Sequence, residues 1–158
     1  SIALVTLWSF LEQAHAVEIE SLKKYVTTVL NTTKPFQKKL SADTTLIYSK
    51  DAKGKADKMV FVEHNTYEPN CSHTWYVGMG KDGKVTELRV MEFSCPHAMP
   101  AKAARFLDQF KGKGPADLAT LKVDEGIDGI AQATGTCQLA TEAVKHAITT
   151  YAKIKGSI

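Results

Sequence analysis

The sequence has little of what would place it quickly. Among its 158 residues only three are cysteines, Cys71, Cys95 and Cys137, and none are paired as Cys-x-x-Cys. Zinc-type spacing and the Cys-x-x-Cys-His of covalent haem are both absent, and no metal site is expected. There is no complete P-loop, no Gly-x-Ser-x-Gly and no His-Glu-x-x-His, which removes the commonest phosphate-binding, hydrolase and metalloprotease signatures. Charge of one sign is scarce. The 20 basic and 17 acidic residues leave a net charge of +3, and the lysines are spread along the chain, so nucleic acid is not an expected partner. No apolar run reaches the roughly 20 residues that a membrane-spanning helix needs. Internal repeats, linkers and low-complexity segments are lacking as well.

What is present is globular composition, with 44% apolar and 23% charged residues. The length fits one domain, and a chain of this size buries about 70% of its unfolded surface. Near the start, Ile2–Leu11 is apolar and Ala14-His15-Ala16 follows. An apolar stretch before a small-x-small triplet is the pattern of the back half of a secretory signal. Residues 1–16 therefore read as a signal or anchor remnant, and residues 17–158 as a single domain working outside the cytoplasm. The alternative is an N-terminal amphipathic helix packed on that domain.

Ile19, Leu22, Val26 and Val29/Leu30 recur at helical spacing over residues 18–30. The β-rich segments 44–49 and 59–64 read as a hairpin across a polar turn at 50–58. Residues 73–79 and 85–93 read as a second hairpin around Lys81-Asp82-Gly83-Lys84, where Gly83 accepts a positive φ. Residues 65–72 and 94–100 read as loops, 101–110 as a helix with Phe106 and Phe110 on one face, 118–123 as a short strand, 124–136 as a turn segment and 137–154 as the last helix. The fold class is α+β, an antiparallel sheet packed with helices. The second hairpin brings Cys71 near Cys95, and opposed residues of an antiparallel pair are close enough for a disulfide. A disulfide there fits an oxidising compartment; three reduced, buried thiols are the alternative. The histidines, His15, His64, His73, His97 and His146, are scattered and read as surface or satisfied groups. Cys95 and His97 stand too close in sequence for the usual nucleophilic pair, and no catalytic residues are assigned.

The segment 128–137, Asp-Gly-Ile-Ala-Gln-Ala-Thr-Gly-Thr-Cys, runs small residues directly into the last helix. Free N–H groups and the helix dipole at such a start suit an anion. Thr134 and Thr136 add hydroxyls there; the simpler reading makes Thr136 an N-cap. The segment resembles the flavinylation motif of FMN-binding domains, Asp-x-x-(Ser/Thr)-Gly-Ala-Thr, often followed by x-Thr-Ser. Asp128, Ala133, Thr134 and Thr136 match it. Gly80–Val85 with the strand after it is similar to the family's central hairpin. Ser94-Cys95-Pro96-His97 stands where the family has Glu-Thr-Pro-Gly. Phe106–Lys113 is similar to its Trp/Phe-x-x-Gln-Phe-x-Gly-Lys. The likeness covers about residues 73–151, and the first half matches in coarse layout only.

The resemblance implies an FMN-binding-domain-like fold and an extracytoplasmic electron carrier rather than a stand-alone enzyme. FMN would be esterified through its phosphate to Thr134. Gln132, Ala133, Gly135, Thr136 and Cys137 would line the site with Asp128, Cys95, Pro96 and His97. Redox proteins, membrane-associated ones among them, and a flavin transferase would be the partners. Lys111 and Lys113 are candidates to neutralise phosphate, and Trp75, Tyr76 and Met99 to contact the flavin ring. Two features depart from the motif: Ala131 replaces Ser/Thr and Gln132 replaces glycine. Gln132 carries a Cβ and takes a glycine-type backbone only with strain. Non-covalent FMN, and a binding or assembly module that has lost its flavin, are the alternatives.

Overall fold

The computed structural model describes residues 22–67 and 70–158, with the backbone alone at Glu92, Phe93, Pro96 and His97. The proposed signal or anchor at 1–16 and the first turn of the expected 18–30 helix lie outside the described residues. Residues 22–30 are helical (α1). Five strands follow: β1 Phe36–Lys39, β2 Thr44–Lys50, β3 Ala56–Tyr67, β4 Cys71–Gly80 and β5 Val85–Phe93. They pair in chain order as an antiparallel meander, with Leu46 opposite Phe61, Phe61 opposite Val77 and Val77 opposite Leu88.

Because side chains alternate across a strand, β3 and β4 each serve two layers. Met59, Phe61, Trp75, Val77 and Met79 face the main core with Leu46, Tyr48 and Leu88. Val60, Val62 and Tyr76 join Ile47 on the other face, under Tyr25, Val26 and Leu30 of α1. A sheet covered on both faces wants continuous apolar strands rather than alternating ones, which is why Met59–Val62 is unbroken. The main face is covered by α3, Thr134–Ile154, which buries Leu139, Ala140, Ala143, Val144, Ala147, Ile148 and Tyr151. The alanines in that stripe let the helix lie close on the sheet. The described architecture is therefore α+β, as expected.

Turn chemistry follows the sequence. Asp51 Oδ1 accepts the N–H groups of Lys53 and Lys55 at 2.8 and 3.0 Å and shapes the β2–β3 turn. Gly83 turns the β4–β5 hairpin at a φ of 77°. Gly78, Gly80 and Gly83 spell Gly-x-Gly-x-x-Gly by letter. They lie across this hairpin rather than between a strand and a helix, so they carry no dinucleotide chemistry.

Four expectations are corrected. The 65–72 loop is shorter, because β3 runs to Tyr67 and β4 begins at Cys71. β1 was not expected; its four residues are all exposed, so it carries no burial signal. The 101–110 helix is broken into a 3-10 turn Pro96–Lys102, a short α2 Ala104–Leu107 and a 3-10 turn Asp108–Phe110, since Ala103 is extended at ψ 132°. Phe106 and Phe110 are nonetheless buried edge-to-face, 5.5 Å apart. The expected strand at 118–123 is a run of turns with one isolated bridge, Val123 to Ile127. Its apolar signal came from Leu118, Leu121 and Val123: Leu121 enters the core from the turn, and Leu118 and Val123 pack against it.

Candidate functional site

The segment that leads into α3 is held from two sides. Gln109 grips the backbone of Asp128: its Oε1 accepts the Asp128 N–H at 2.8 Å and its Nε2 donates to the Asp128 carbonyl at 3.0 Å. Phe106 and Phe110, both buried in the core, anchor the turn that carries the partly exposed Gln109. At the other end, the Ala133 N–H donates to the Ile130 carbonyl at 3.0 Å, and the Cys137 N–H donates to the Ala133 carbonyl at 2.9 Å. Between them the chain turns through Gln132 at a φ of 66°. This is the left-handed region, at the position where the motif carries glycine.

The helix then starts three residues earlier than expected, at Thr134. Ala133 is the N-cap and offers no side-chain hydrogen bond to the first turn. Thr136 is not the N-cap. It is the third helical residue, buried, and its Oγ1 lies 3.2 Å from Nε2 of His73. Thr134 is exposed. Gly135 lies under the ring of Tyr67, and a Cβ there would meet the ring at 2.9 Å. Tyr67 is itself about half exposed. Exposed Thr134 hydroxyl, positive helix end and a flanking aromatic therefore share one surface.

The remaining expected residues divide. Ala133 and Cys137 face the core, and burial raises the Cys137 thiol pKa. Asp128 is exposed. Cys95 is joined to Cys71 in a disulfide, with Cα atoms 5.2 Å apart, so the expected pairing is present. The backbone of Pro96 and His97 enters the 3-10 turn that lies against α3. Met99 on that turn is exposed. Trp75 and Tyr76 do not reach this surface. Trp75 is fully buried and donates from Nε1 to Asn65 Oδ1 at 2.9 Å, and Asn65 Nδ2 donates to the Leu139 carbonyl at 2.9 Å. Tyr76 packs on Tyr25 under α1, on the opposite face of the sheet. Lys111 pairs with Asp108 at 3.1 Å.

His73 is the residue the sequence reading missed. It is 2% exposed, stacks on Trp75 at 5.4 Å with the rings within 3° of parallel, and touches both the disulfide and α3. Its Nδ1 lies 3.2 Å from the Cys71 carbonyl. A carbonyl only accepts, so Nδ1 carries the ring proton and Nε2 presents a lone pair. Burial depresses the His73 pKa below its usual 6.5, which keeps the ring neutral. Cys71, His73 and Cys95 place their donor atoms within 4.8 Å of one another. The signal was the spacing Cys71-Ser72-His73, invisible to a search for Cys-x-x-Cys.

No protein-family model matches the chain, and no curated protein matches it.

Proposed function

We propose that this protein is an extracytoplasmic electron carrier that holds FMN through a phosphoester on Thr134. The observation that carries the reading is the placement of Thr134: an exposed hydroxyl at the first position of a helix without a side-chain cap, where the flavinylation motif puts its acceptor. The residues present suit the group. Unpartnered N–H groups at a helix start and the helix dipole favour a phosphate, and Gly135 lets the ring of Tyr67 lie against that start. Gln132 adopts the left-handed turn despite its Cβ, so its departure from glycine leaves the turn intact. The disulfide supports placement outside a reducing cytoplasm.

In this reading a flavin transferase makes the ester. Thr134 Oγ1 would hold the FMN phosphate as an ester. Asp128, whose backbone Gln109 holds, would supply the carboxylate that the motif calls for. The flavin supplies the redox chemistry, and redox proteins are its partners. The chain's own residues fix the attachment point.

Co-expression with a flavin transferase, followed by ultraviolet imaging of a denaturing gel, tests this. A fluorescent band for the wild type and a dark one for Thr134→Ala are expected. Asp128→Ala should load poorly while keeping its fold. A fluorescent Thr134→Ala band would move the acceptor elsewhere and sink the assignment. A dark wild-type band with yellow native protein would mean non-covalent FMN, and a colourless protein would mean a binding module.

A further inference from the structure

The geometry points to a second site: we infer that, once the Cys71–Cys95 disulfide is reduced, Cys71 Sγ, Cys95 Sγ and His73 Nε2 bind one Zn²⁺-class cation. The three donor atoms already lie within 4.8 Å of one another, with Cys71 Sγ 3.9 Å from His73 Nε2. Tetrahedral zinc, with Zn–S of about 2.3 Å and Zn–N of about 2.0–2.1 Å, needs neighbouring donors roughly 3.5–3.8 Å apart. Cys71 Sγ and His73 Nε2 already stand near that spacing, and the two sulfurs, bonded to each other in the disulfide, must part on reduction to reach it.

Three further features suit a metal. The imidazole is held in the ligand tautomer, because Nδ1 donates to the Cys71 carbonyl and leaves Nε2 unprotonated; Thr136 Oγ1, 3.2 Å from Nε2, is the partner that a metal would displace, and a backbone carbonyl on the far nitrogen is a common outer partner of a metal-bound histidine. Stacking on Trp75 fixes the ring plane. The two cysteines come from different elements, the start of β4 and the turn after β5, so the site is preformed by the sheet. The sequence also repeats the Cys-x-His spacing at Cys95-Pro96-His97. None of this depends on FMN.

The redox step balances with a trialkylphosphine. The S–S bond breaks, the sulfurs take two electrons and two protons, and the phosphine becomes its oxide with oxygen from water. Metal binding then displaces the two thiol protons. The reagent leaves the cation free to be studied.

Titration of the full, flavin-free chain with Co²⁺, used as the probe for zinc, decides the matter. The phosphine-reduced chain should bind one equivalent, with visible tetrahedral bands and a near-ultraviolet thiolate-to-cobalt band that Zn²⁺ abolishes. The oxidised chain should show neither. Zn²⁺ should protect two thiols of the reduced chain from alkylation, and Cys137→Ser should leave the bands unchanged. His73→Gln should weaken binding at least tenfold and shift the visible bands. Equal or absent binding in the reduced and oxidised wild type overturns the inference, and that comparison stands even if His73→Gln fails to fold. Unchanged affinity and spectrum in a folded His73→Gln would overturn the ligand set.

Discussion

Gln132 shows how one residue can depart from a pattern and still keep its geometry. Among the described residues three that are not glycine adopt a positive φ: Asn31, Asp124 and Gln132. Asn and Asp tolerate the left-handed region because a short polar side chain bonds locally. Gln132 has no such means, and a left-handed L-residue costs about 1–2 kcal/mol. Gln132→Gly should therefore raise stability by about 1 kcal/mol, read as a higher urea midpoint with an unchanged slope. An unchanged or lower midpoint would mean that the strain is relieved in another way. The strain at this position was legible in the sequence, because a Cβ stands where the motif calls for glycine. The role of His73 was not. Its environment is assembled from β4, the turn after β5 and the third residue of α3, and local spacing carries no record of that meeting.

At the scale of the element, Gln109 joins two segments separated by 18 intervening residues. Removing its amide costs two hydrogen bonds, each worth about 0.5–1.5 kcal/mol. Gln109→Ala should lose about 1–2 kcal/mol and speed hydrogen exchange at the Asp128 amide; protection left intact would show that Phe106 and Phe110 alone position the segment. The central strands and α3 were legible because burial writes a period into the sequence: two for a strand, 3.6 for a helix. β1 was not, since an edge strand of exposed Phe, Gln and Lys pairs through its backbone, and its one apolar side chain, Phe36, stays about half exposed where it stacks on Tyr48. Lysines on such an edge discourage pairing with another chain. Residues 118–123 misled for the opposite reason, as isolated apolar side chains enter the core from turns.

Across the whole molecule, two tests probe how the layers are tied. The disulfide joins residues 24 apart, and loop-closure entropy puts its contribution at about 3 kcal/mol. Reduction should lower the denaturant midpoint accordingly; no change would mean that the sheet alone restrains this corner. Glu63 lies buried between Thr44 and His146, accepting from Thr44 Oγ1 at 2.8 Å and from His146 Nδ1 at 2.9 Å. Burial raises its pKa above 4.5 despite those hydrogen bonds. The folded state thus keeps a proton that the unfolded chain has released, so this group's contribution falls as pH climbs from about 4.5 through the folded pKa. Glu63→Gln should flatten that part of the stability profile, and an identical profile would exonerate Glu63. The long helix is also tethered at both ends to a single strand and its turn, Thr136 to His73 and Tyr151 to the Lys81 carbonyl. From Thr136 to Tyr151 is about 22 Å at the ~1.5 Å rise of a helix, and from His73 to Lys81 about 26 Å at ~3.3 Å per strand residue. Helix and strand thus gauge each other's length. One residue added to or lost from α3 between its tethers turns everything beyond by about 100°, so only one tether can stay in frame. The place of Thr134 on the molecular surface is in this sense a measured distance, counted out along β4.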